Sequence, residues 1–426
     1  MSWGEGYSTG PAAMDTIAPQ TMPASGAPLS DWLVGLALLA AASLAVAWLL
    51  RRAGLPGAAA IGGILAGLVL GPGVLGRFAP QTHDRLFGQA PAELAAWRQA
   101  ERAVEATEFA VGSSGADPES ARAQVESLVA RSEARRAEWT AAAERARTPW
   151  VAVAAVLAAL VIVAGGTRHA EAVGDVGRGI LLGGWNAGLP AAMVAVGLGW
   201  LGEPAWSPTM FAAMAAVAAG AWPLDEVDRA TARDSAPGGL AMAWVAARTA
   251  NVVAIALFAA AAITASHPLA AALIAALGGT FVISALFGSR LVPASLATVL
   301  VGGAVPVLAA LAAVRVEPFL DVRWGVLILL AVVAEDGRWI GATLGTWLPG
   351  GVPFLGAMRL GLVAVPAAPM MLAFVAVSLS AGLLAPAAGA GLLVGVLLIE
   401  GLAPVRHRMA ADLAGPGSPP DGPAGG

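Results

Sequence analysis

Glu335, Asp336 and Arg338 stand side by side in the middle of an apolar segment that runs from about Val322 to Trp347. A segment of that length can cross a bilayer, so the two carboxylates and the guanidinium are expected near the midplane. Each such charge costs roughly 2.5 to 3.5 kcal/mol on insertion scales. Alanine or leucine at these positions would insert more readily, so the charges require partners inside the protein. Candidates are Asp225, Glu226, Asp228, Arg248 and Asn251, which lie in or beside two other apolar segments. Ionisable groups held this way either take up ions and protons or simply neutralise one another as a structural knot. A shorter helix, with the charges in a loop, is the remaining alternative.

The elements that must position these residues belong to a membrane protein by composition. Hydrophobic residues make up 58% of the 426-residue chain and charged residues only 12%, with a mean hydropathy of +0.74. An ordinary soluble domain is about one quarter charged. A net charge of −4 argues against a nucleic-acid partner. With no cysteine, disulfides and thiolate metal sites are excluded. His83, His169, His267 and His407 are scattered without metal-ligand spacing, so no metal site is expected. There is no lysine, so every fixed cation is an arginine, which stays charged on burial. No phosphate-binding glycine loop, hydrolase elbow or metalloprotease helix is evident, so neither an enzyme nor a cofactor is expected.

The chain divides by composition. Residues 1–29 form a Pro-, Ser- and Gly-rich tail that reads as disordered, and 404–426 form a second one. Two transmembrane helices are expected in 30–76. The second carries Gly63, Gly67 and Gly71 at four-residue spacing, which lets a neighbouring helix approach closely. Residues 77–148 leave membrane composition altogether. Pro91 opens an amphipathic helix to about Val111, and Pro118 opens a second to about Arg147, which predicts an antiparallel helical hairpin outside the bilayer. Residues 149–403 hold the remaining apolar segments. The fold class is therefore an all-α membrane protein of about eleven transmembrane helices plus an extramembrane hairpin. Alternate threading gathers Arg51, Arg52, Arg168, Arg178, Arg229, Arg233, Arg290, Arg359, Arg406 and Arg408 on one side, which predicts a cytoplasmic carboxyl terminus and an outside amino terminus. Two apolar segments are interrupted: one at Pro223, the other by Pro366 and Pro369. One break in each half predicts crossed half-helices of an inverted repeat, with simple proline kinks as the alternative.

The run Gly54-Leu55-Pro56 through Ala66-Gly67-Leu68-Val69-Leu70-Gly71-Pro72-Gly73-Val74-Leu75-Gly76 resembles the second transmembrane helix of the cation:proton antiporters, the sodium/hydrogen exchanger family with its Kef-like branch. The resemblance implies exchange of a monovalent cation, sodium or potassium, for protons across the cell membrane by a homodimer. On its register Pro223 matches the residue of the family's first helix break. Asn251 falls at the position of the ion-binding, proton-exchanging Asp. Arg338 matches the basic residue that contacts this site, and Pro366 the proline of the second break.

Asn251 is the departure that matters, since an amide can coordinate a cation but cannot titrate. The titrating role is then expected at a nearby acid. Glu335 is the first choice and Asp225 the second, with Asp336 and Glu226 also within the set and Arg248 and Arg338 as charge partners. The competing expectation is that the acids only neutralise these arginines. The chain would then be a transport-inactive homologue with a structural or regulatory role through its outer hairpin.

Overall fold

A computed structural model describes residues 29–88, 91–114, 118–166, 176–219, 239–291, 293–316, 323–348, 351–364 and 369–413. Among them every regular element is helical. In chain order these are α1 (Leu29–Arg52), α2 (Ala58–Leu70), α3 (Leu75–Phe78), α4 (Pro80–Leu86), α5 (Pro91–Ser114), α6 (Pro118–Gly166), α7 (Val176–Trp200) and α8 (Pro208–Ala218). They continue as α9 (Gly239–Thr264), α10 (Ala270–Leu291), α11 (Ala294–Ala313) and α12 (Trp324–Val332). A π-helical turn (Val333–Gly337) leads into α13 (Arg338–Trp347), followed by α14 (Phe354–Ala364), α15 (Pro369–Ser380) and α16 (Pro386–Asp412).

Among the described residues, seven helical stretches are long and apolar enough to cross a membrane, and shorter apolar helices lie among them. The outward faces carry large apolar side chains such as Leu33, Trp48, Val196, Ile263 and Val299. On a soluble protein that much exposed apolar surface would drive association, whereas lipid solvates it without penalty.

The glycine spacing of α2 finds its neighbour in α11. A Cβ at Gly63 would lie 2.2 Å from the carbonyl oxygen of Pro306, and one at Gly67 2.5 Å from that of Ala310. On another face of α2, Gly62 leaves room for the backbone of Ala47 in α1. α15 is buried throughout and packs on α6, α8, α11 and α16, with Phe374 edge-on to Phe258 of α9 at 5.9 Å.

α5 and α6 pair as a hairpin, Trp97 of α5 stacking on Trp139 of α6 at 5.2 Å with Arg136 over the Trp97 ring. Its second helix does not stop near Arg147. α6 runs unbroken for 49 residues through Pro149 and into the apolar part. Proline there removes the hydrogen bond to the Arg145 carbonyl and crowds that oxygen, and Trp150 and Val151 are buried immediately after it, so packing holds the helix together across the proline.

Candidate functional site

α8 begins with a well-made cap. The Ser207 hydroxyl accepts from the Met210 amide at 3.1 Å and donates to Glu203 at 2.9 Å, with Pro208 at the first helical position. It ends after only 11 residues, where Ala219 turns to extended geometry. The last carbonyls of any helix have no amide of their own to bind. Here Arg338 supplies the donors. Its Nε donates to the Val217 carbonyl at 2.7 Å, and its Nη2 to the carbonyls of Ala216, at 3.0 Å, and Ala219. The side chain is 1% exposed. A fixed cation at the negative end of a helix dipole also gains electrostatically. Helix carbonyls hold two of its nitrogens, and the Glu335 carboxylate acts on it electrostatically.

Immediately before Arg338 the helix widens into the π turn, a local geometry that recurs at functional sites. Glu335 lies in it and is buried. One carboxylate oxygen, Oε1, accepts a hydrogen bond from Nη1 of Arg406, whose Nη2 donates to the Ile399 carbonyl at 2.6 Å. The other oxygen, Oε2, is buried with no hydrogen-bond partner. Asp336, next in the chain, is exposed.

The remaining expected residues divide. Asn251 is buried on α9. Arg248, one turn earlier, turns toward α10: its Nη2 donates to the Ser284 carbonyl at 3.3 Å and its guanidinium lies 5.6 Å from the Phe281 ring centre. Pro369 is the first residue of α15. Pro223, Asp225, Glu226, Asp228 and Pro366 lie outside the described residues. The structure thus brings Arg338 to the carbonyl end of α8, with Glu335 beside it in the chain, and directs Arg248 to another helix.

Two arginines of the set expected on the cytoplasmic side are buried: Arg406, on Glu335, and Arg359 of α14. Residues 404–412 are not a disordered tail: α16 continues through Pro404 to Asp412 and carries Arg406 inward. An arginine one to two helical turns beyond an apolar stretch, with an unpaired acid in the neighbouring span, is the signal that would have found it. A comparison with models of known protein families finds none that matches the chain, and a comparison with curated proteins finds no match.

Proposed function

We propose that this chain is a multi-pass carrier of the cell membrane that exchanges a monovalent cation, sodium or potassium, for protons, with Glu335 as the carboxylate that takes up each in turn. The observation that carries this reading is the asymmetry of Glu335. Arg406 fixes one oxygen, and the other is buried and unpartnered, able to receive either a proton or a cation. Arg338 contributes by stabilising the carbonyl end of α8 at the same depth. In this reading α8 and α15 are the described halves of two interrupted spans among about eleven crossings. Asn251 serves as a neutral oxygen ligand, and Asp225, Glu226 and Asp336 are the other acids of the pathway. The amino terminus is outside, the carboxyl terminus is cytoplasmic, lipid surrounds the bundle, and the working form is a homodimer.

The second reading is a transport-inactive protein acting through the outer hairpin. It draws support from Asn251, which cannot titrate, and from the hairpin's rigid attachment to the bundle through α6. Reconstitution into liposomes containing a pH-sensitive dye separates the two. Under an imposed sodium or potassium gradient the wild type moves protons, and Glu335→Gln lowers the initial rate at least about tenfold, as expected for loss of the titrating group. No proton movement under either gradient supports the second reading.

A further inference from the structure

A proline inside a continuous helix faces the π turn. Pro190 lies inside α7 and has no N–H to return to the carbonyl of Asn186, four residues earlier, which leaves that backbone oxygen without its helical donor. Asn186 is itself 2% exposed, and its side-chain oxygen Oδ1 has no hydrogen-bond partner. An unsatisfied amide in a buried, apolar setting is costly, and native interiors rarely tolerate one without a reason.

The surroundings tie this residue to the site already described. A Cβ at Gly337, the last residue of the π turn, would meet Pro190 Cβ at 3.2 Å and Met193 Sδ at 3.4 Å. A Cβ at Gly341, one turn into α13, would meet the Trp185 carbonyl oxygen at 2.7 Å and Asn186 Cα at 3.3 Å. The two glycines therefore let the proline-bearing turn of α7 press against the widened turn that holds Glu335. On the adjoining face of α7, Gly183 admits the Ala246 carbonyl and Thr249 of α9, so Asn186 lies where α7 is clasped by α9 and α13.

We infer that Asn186 is a ligand of the exchanged monovalent cation, offering its side-chain oxygen and the backbone carbonyl that Pro190 releases. The inference rests on the exchange reading above and assigns the neutral oxygens of the same site. Two neutral oxygens from a single residue suit a large, singly charged cation. They add no fixed charge beside Arg338 and Arg406, so the negative charge of Glu335 alone decides whether cation or proton is held.

The test is cation-dependent thermal stability of the purified full chain in detergent, with sodium, potassium or lithium chloride titrated against choline chloride at constant ionic strength. Proton flux in liposomes is recorded in parallel. The wild type is expected to be stabilised by one of the three cations. Asn186→Leu should raise the half-saturating concentration of that cation about tenfold, and Asn186→Asp should retain saturation. Pro190→Ala restores the helical donor to the Asn186 carbonyl and improves helix propensity, so it is expected to fold; a rise of about threefold or more is expected from it. A wild type that responds while Asn186→Leu and Pro190→Ala both saturate at its concentration overturns the inference and leaves the exchange reading standing. A wild type that neither responds to any of the three cations nor moves protons overturns both.

Discussion

Arg338 illustrates how the carbonyl end of a helix helps to accommodate a buried charge, alongside the acid Glu335. Its planar fork meets carbonyls at the end of a short helix, and a lysine, with a single nitrogen on a flexible stem, would not reproduce that array. Glu335 and Arg406 follow the more familiar route, and their coupling is testable. Arg406→Met strands a buried carboxylate and is expected to destabilise the protein by about 3 to 5 kcal/mol. Arg406→Met combined with Glu335→Gln should recover most of that loss, read as the thermal midpoint in detergent. A double variant no more stable than the single one would show that the pair does not set the cost. Glu335 and Arg338 stood out in the sequence because charge is rare in these segments. Their partners did not. Backbone carbonyls have no residue type, and Arg406 lies beyond a proline that reads as the end of its helix.

Among the elements, what could be read depended on whether the cause is local. The glycine spacing of α2 announced a close neighbour, and α11 occupies that place. Gly67→Leu would drive a side chain into the Ala310 carbonyl, and overpacking of this kind is expected to cost about 3 kcal/mol or more. The expected observation is a lowered melting temperature or loss of the folded protein in detergent extracts, whereas a leucine on the outward face at Val69 leaves both unchanged. The π turn was not legible, since one extra residue in a helical turn alters no composition or period that a short apolar segment displays. The continuity of α6 was hidden for the opposite reason. Thr148-Pro149 at a change from charged to apolar residues looks like a boundary, and only the burial of Trp150 and Val151 shows why the helix survives it.

For the molecule as a whole, several connections meet at a common end of the bundle. Gly382, between α15 and α16, abuts the Arg147 side chain of α6. Arg315, after α11, lies over the Trp150 ring at 5.6 Å. The amide of Ala385 donates to Thr209, just inside α8, at 3.3 Å. At the other end Gly57, between α1 and α2, abuts Glu400 of α16. Which end faces the cytoplasm is open to direct measurement, because the native chain has no cysteine. In intact cells a membrane-impermeant maleimide is expected to label Ser127→Cys in the hairpin, and to label Asp412→Cys only after permeabilisation. The reverse pattern would invert the orientation. α6 has a mechanical consequence for everything attached to it. A helix of 49 residues has a contour of about 73 Å, so a tilt of its buried part by roughly five degrees would swing the far tip by several ångströms. Anything grasping that tip would hold a lever on the bundle.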